Sequence, residues 1–255
     1  MIYDIQKASI LKRFSAALLD FFLIIILGVG VMFFMSWVTK IGKYSDTLQG
    51  YYQQYGEEYG VDFGISEEDF NKLSEEEQAY YDQIFKKIFE EHPDANKAYQ
   101  MVGQLPLLII TVSIFVPVLV FEFLLPLLLK NGRTVGKKVF NLGVVLKNSV
   151  KINVFALFVR SVLGKYTIEW MLPVVLVMSV FYYNLSLLIC IIVLGLLLVM
   201  QIVLLIVTKT NSCIHDALAN TAVVDMSSQM VFATEQELVA YKEDLHQQEV
   251  KEQQY

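Results

Sequence analysis

KNGRTVGKKVFNLGVVLKNSVKINVFALFVRSVLGK, residues 130–165, decides how this chain is read. The segment holds eight Lys or Arg and no Asp or Glu, and it lies between long apolar runs in a chain of net charge −6. Short loops rich in Lys and Arg stay on the cytoplasmic face of a membrane, whereas acidic residues oppose translocation little. The segment therefore predicts a basic cytosolic loop, and fixing it inside assigns a side to everything else.

Working outward, the chain has 255 residues, is 55% hydrophobic and only 18% charged, against about 25% charged in a typical soluble protein. Its apolar residues are clustered rather than periodic, which predicts an integral membrane protein whose first partner is the lipid bilayer. The acidic balance gives no footprint for nucleic acid. Cys190 and Cys213 are too far apart in sequence for a metal-type spacing, and two thiols do not make a disulfide framework. No cofactor and no metal site are expected.

Three apolar regions carry the spans. Phe14–Val38, 25 residues interrupted by Asp20, is long enough for a spanning helix, which needs about 20. It is too long for the apolar core of a cleaved signal peptide and offers no small-residue cleavage site, so residues 1–38 are expected to hold the N-terminus and an uncleaved first transmembrane helix. Leu105–Leu129 is the second span. It contains Pro106, Pro117 and Pro126, and Pro117 is expected to kink it. Ile168–Val207 has 40 residues, about 60 Å as one helix, twice the hydrocarbon thickness. A third and fourth helix within 166–208 are therefore expected to form a hairpin broken at Tyr182-Tyr183-Asn184. Four crossings put both termini in the cytosol; three would send the C-terminus out, and charge alone does not choose.

Between the first two spans, residues 39–104 carry fourteen Asp or Glu against six Lys, and eight of the fourteen tyrosines. Ser74-Glu75-Glu76-Glu77 is a capping box that predicts a helix from Glu75 to about Glu90, stopped at Pro93, with Tyr81, Phe85 and Phe89 as its apolar stripe. This acidic helical insert is expected outside the cell, where it could meet a protein partner. Within the basic segment, Leu142–Leu146 reads as a strand, and Ile152–Leu163 as an interfacial helix around Arg160. Thr221–Asp225 reads as a second strand that should pair with Leu142–Leu146. Residues 209–255 form a cytosolic strand and tail, with a capped helix over Gln236–Gln248 and disordered final residues. The fold class is thus an all-α membrane protein: about four transmembrane helices, a cytosolic interfacial helix, a small β-pair and an acidic extracytoplasmic insert.

Charged residues in or beside apolar runs are the candidate site. Asp20 lies two turns deeper than Arg13 on the first helix, and an aspartate there costs about 2–3 kcal/mol on insertion scales, so it should face the bundle and have a partner. Asp216 follows the last span and could meet Arg13 and Asp20 at the inner helix ends. Arg160, Lys137 and the neighbouring Lys138 could join this cluster, and Glu122 is a second carboxylate on the path. Gly132–Lys138 departs from a phosphate loop in spacing and in the residue after Lys137. His215-Asp216 lacks the further histidines a metal centre needs. Gly136 is expected to permit close backbone packing or a positive φ.

Three stretches together resemble the RDD family of bacterial multi-pass membrane proteins. Lys12-Arg13-Phe14-Ser15-Ala16-Ala17-Leu18-Leu19-Asp20 is similar to the family's basic entry into the first helix. Gly132-Arg133-Thr134-Val135-Gly136-Lys137-Lys138, running on to Gly143-Val144-Val145, is similar to its Thr-x-Gly-Lys segment and valine-rich strand. His215-Asp216-Ala217-Leu218-Ala219-Asn220-Thr221-Ala222-Val223-Val224 is similar to its closing His-Asp and Thr-x-Val-Val. Arg160 falls where the family has an arginine in the interfacial helix. The insert is longer than the family's usual loop. The resemblance implies a membrane fold and a cell-membrane location, and transport-related roles have been suggested for some members. Two uses of the cluster follow: a proton-coupled cation path through Asp20, its pKa lowered by Arg13, or a structural network that locks helix ends in a scaffold or accessory protein. No nucleophile, base and orienting group assemble, so an enzyme is not expected.

Overall fold

The computed structural model describes residues 4–129, 131–183 and 185–253. Lys130 and Asn184, the latter part of the expected hairpin break, lie outside them, as do the last two residues of the tail. Among the described residues, four helices are long and apolar enough to cross a membrane. They are α1 (Ile10–Thr39), α5 (Pro93–Leu129), α7 (Val154–Tyr182) and α8 (Leu187–Val207). Between the first two come α2 (Ile41–Tyr59), the short α3 (Glu67–Phe70) and α4 (Glu75–Glu91). Later come α6 (Val135–Val139), β1 (Leu142–Leu146), α9 (Ile214–Leu218), β2 (Thr221–Asp225) and α10 (Glu235–Gln253).

At 1.5 Å per residue α8 is about 32 Å long, matching a hydrocarbon core of about 30 Å. Ile26, Phe33, Leu198 and Ile206 of the spanning helices are 63–72% exposed. Such side chains facing water would oppose folding, whereas facing lipid they lose nothing. The chain is an all-helical membrane protein with a small sheet, as expected.

Two boundaries differ from the sequence-based expectation. Ile152–Leu163 is not a separate interfacial helix: helix continues from Val154 to Tyr182, through Gly164 and Lys165, which pack on His215 and pair with Glu122 instead of breaking it. Pro93 does not simply stop α4. It opens α5, where its missing N–H is harmless at the first helical position. The second span therefore starts twelve residues before its apolar run.

The chain divides into two compact units, Gly30–Ser113 and the remainder. Within the first, the Ser74 capping box is present on both sides. Ile84 and Ile88 of α4 are buried with Tyr55, Val61 and Ala95, flanked by Tyr52, Phe63, Tyr81 and Phe89. Rings pack edge-on or stacked, as in Tyr52–Phe63 at 5.0 Å and Phe85–Phe89 at 4.6 Å, so that Tyr55 joins the core and partly buried rings close around it. The expected stripe is real but centred on Ile84 and Ile88, with the aromatics on its flanks.

In the second unit β1 and β2 pair antiparallel, Leu142 opposite Asp225 and Leu146 opposite Thr221. Lys7 adds a bridge to Val224, and the Ala8 amide donates to the Val223 carbonyl at 3.1 Å. Leu142, Val144, Val145 and Val224 are fully buried, which explains the apolar, β-branched composition of both strands. Phe232 and Val150 continue this core to Leu238 of α10.

Candidate functional site

The site begins at Asp20, buried on α1. Its Oδ2 accepts the Thr134 hydroxyl at 2.5 Å and its Oδ1 accepts the Gly136 amide at 2.7 Å. Thr134 is also the N-cap of α6, so Asp20 docks on that helix start, where N–H groups point outward. Gly136 is required here: a Cβ would lie 2.1 Å from the Ala16 carbonyl oxygen. Close packing, not a positive φ, is its reason.

Lys137, the next residue in the same turn, is buried between two acids. Its Nζ donates to Thr134 Oγ1 at 3.1 Å and stands 3.8 Å from Asp20 and 3.9 Å from Glu122. Burial pushes this ammonium down to about 8, with Glu122 opposing the shift and Lys165 and Arg160 adding to it. Glu122 is also held by Lys165.

A second half forms around Asp216, which is fully buried. Arg13 Nη2 donates to its Oδ2 at 3.1 Å and Arg160 Nη2 lies 3.0 Å from Oδ1. The Thr221 hydroxyl donates to Oδ1 at 3.2 Å. Burial by itself raises the Asp216 pKa, but Arg160, His215 and Arg13 outweigh it and hold the carboxyl well below the usual range. Arg13 also donates to the carbonyls of Asn211 and Thr210. His215 Nδ1 meets Glu169 at 2.7 Å, and its Nε2 lies 3.6 Å from Asp216. Burial lowers the His215 pKa despite both acids, so it is neutral at pH 7. Gly164 admits this contact, since a Cβ there would lie 2.6 Å from His215 Cβ.

The expected meeting of Arg13, Asp20 and Asp216 is therefore divided. Arg13 pairs with Asp216 and not with Asp20. Seven residues separate Arg13 from Asp20, about 10 Å along the helix, and the start of α6 fills that interval. Lys137 is the cation at Asp20, and Lys138 is exposed. Arg160 and Glu122 join the network, one in each half.

Irregular helix turns make this possible. Leu119–Leu124 within α5 and Val159–Met171 within α7 are π-helical. The Leu125 amide reaches back to Val120 and the Leu172 amide to Thr167, five residues each. At an α-helix's 100° per residue, Glu169 would point about 180° away from Arg160. The wider π turn brings Arg160, Lys165 and Glu169 to one side, and such turns often occur at functional sites. Sequence reasoning missed Lys165, counted there only as loop charge, and Glu169, a lone acid at the head of an apolar run. An acid in that position is itself the signal.

A cavity of about 220 Å³ lies among these elements, lined by Arg13, Lys137, Arg160, Lys165 and His215 with Phe14, Leu142 and Leu205 among its apolar walls. Cys213, His215 and Asp216 bring possible ligand atoms within 4.8 Å. Two guanidinium groups already occupy Asp216, and burial raises the Cys213 thiol, a poor setting for a cation.

Fold and site define a multi-pass helical membrane protein with a buried network of paired charges. The family model described as RDD family matches residues 7–220, and the chain belongs to that family. Neither a curated protein nor a solved structure matches it.

Proposed function

We propose that this protein moves a small cation across the membrane in exchange for the proton on Lys137, with Asp20 and Glu122 as the receiving carboxylates. The observation that carries this is one buried ammonium shared by carboxylates from two different spans. With His215 neutral, Arg13, Arg160, Lys137 and Lys165 balance Asp20, Glu122, Glu169 and Asp216 in number. Loss of the Lys137 proton leaves one carboxylate uncompensated, which a single small cation can neutralise. A lysine titrating at about 8 exchanges its proton close to neutral pH. The basic segment 130–165 supports a cytosolic position for this end of the bundle, and for both termini, under the positive-inside rule. No chemical reaction is assigned to the site.

The test is proton–cation exchange in proteoliposomes. Wild type should give flux, and Lys137→Arg, which keeps the charge but cannot release the proton, should fold and give none. Absence of flux from pure wild-type protein overturns the proposal. A structural network is favoured instead by the saturation of Asp20 with donors and by the fit of Gly136 against α1. It predicts that Asp20→Asn abolishes accumulation of folded protein and that Lys137→Arg leaves every membrane activity unchanged. The insert, with a core of its own, could serve a protein partner outside. Deleting residues 45–95 should then leave the rest folded and remove a co-purifying protein; full retention of that protein would count against it.

A further inference from the structure

The charges around the cavity are sorted by depth. Every ionisable side chain lining it is basic or neutral at pH 7: Arg13, Lys137, Arg160, Lys165, His215 and Cys213. The carboxylates that balance them, Asp20, Glu122, Glu169 and Asp216, are absent from that lining and stand behind the cations. The cavity therefore looks onto a positive face although the network as a whole is neutral. Field lines from such a face concentrate in a low-dielectric cleft and attract anions.

Arg160 supplies an independent observation. It is 3% exposed, and its Nε and Nη2 have no hydrogen-bond acceptor among the described residues. The approach of Nη2 to Asp216 at 3.0 Å is an ion pair outside hydrogen-bonding alignment. Buried guanidinium donors normally find acceptors; both nitrogens are shielded from the cavity as the side chain now stands, so Arg160, which lines it, must turn toward the cavity for its planar fork to meet an oxyanion. The remaining walls, among them Ile10, Phe14, Leu205 and Val223, are apolar. Ile10 and Phe14 continue onto the exposed surface of α1. A polar floor with an apolar exit toward the lipid face suits a charged head on an apolar tail.

We infer that this cavity is an oxyanion site, taking a phosphate or carboxylate group on Arg160, Lys137 and Lys165. The same oxyanion could arrive free or as the head of a lipid-like molecule. This goes beyond the proposed exchange and does not depend on it, since binding is read without flux.

The experiment uses the full chain in a neutral detergent, with inorganic phosphate and dodecyl phosphate as probes and thermal stabilisation as the readout. Two variants accompany it. Ala17→Phe fills the cavity from an exposed lining position and touches no charge. Lys165→Gln removes a lining cation that is partly accessible. Stabilisation by dodecyl phosphate at concentrations at least tenfold below those needed with inorganic phosphate, lost in Ala17→Phe and weakened in Lys165→Gln, identifies an amphiphile's head. Equal response to both probes, lost in the same variants, identifies the free anion. No stabilisation by either probe overturns the inference, as does stabilisation that both folded variants retain in full.

Discussion

Lys137 is the residue on which the electrostatics of the site turn. Its folded pKa of about 8 lies below the usual lysine value. Between about pH 8 and the unfolded value near 10.5 the unfolded chain holds more protons at this position than the folded one. Stability therefore rises with pH across that window and is flat below it. A series of Tm measurements in detergent should show this rise in wild type and lack it in Lys137→Met, which has nothing to titrate. An identical pH dependence in both proteins would refute the assignment. Asp216 answers a different question, because it holds two arginines at once. Asp216→Asn leaves Arg13 and Arg160 buried with a neutral partner, and breaking a buried pair in this way costs about 3–5 kcal/mol. The expected outcome is a large fall in Tm, or no folded protein; a change within error would show that other groups carry those guanidinium charges. The acid–base pairs were only half legible in the sequence. Apolar context marked Asp20 and Glu122 as needing partners, but seven-residue spacing on one helix suggested Arg13 for Asp20. Nothing local told that the start of α6 would take that place.

At the scale of elements, legibility followed how local the determining interaction is. The capping box of α4 is written in four adjacent residues, and the helix begins where the box says. Ser74→Ala should raise amide exchange over the first turn of α4 roughly fivefold, the size of a typical lost cap, while leaving the Tm of the whole protein unchanged. Mass-spectrometric exchange on residues 74–80 would read it, and unaltered exchange would refute a role for the cap. The strands were legible for the same reason, as short β-branched runs. The π-helical stretch of α7 was not, since its register is set by what Arg160, Lys165 and Glu169 meet on other elements. A double-mutant cycle on Glu169→Gln and His215→Asn tests that register, with an expected coupling of about 1 kcal/mol within the usual range for contacting pairs. Additive effects would mean that the 2.7 Å contact contributes nothing. The merging of the expected interfacial helix into α7 has a related cause. Arg160 looks interfacial as an isolated charge, yet a buried acid lets it sit inside a continuous helix.

For the molecule as a whole, number of spans was readable from run length, while sidedness rests on charge distribution alone. Ser227, exposed just after β2, reports it. A cysteine placed there should react with a membrane-impermeant reagent only after the cell is opened, and reaction from outside would overturn the four-crossing orientation. Order of synthesis adds a consequence of the divided network. Asp20 enters the membrane with α1, but its donors at Thr134 and Gly136 are made more than a hundred residues later, and Asp216, the acid for Arg13, later still. At about 5–20 residues per second, Arg13 waits on the order of 10–40 s for its partner. The first helix must therefore spend its early life with unmatched charges, sheltered at the insertion machinery or held shallow in the bilayer. The bridge from Lys7 to Val224 likewise joins the first-made end of the chain to a strand made more than two hundred residues later, so the N-terminal segment stays unpaired until β2 has been synthesised, and Phe232 and Leu238 add to the core only after that.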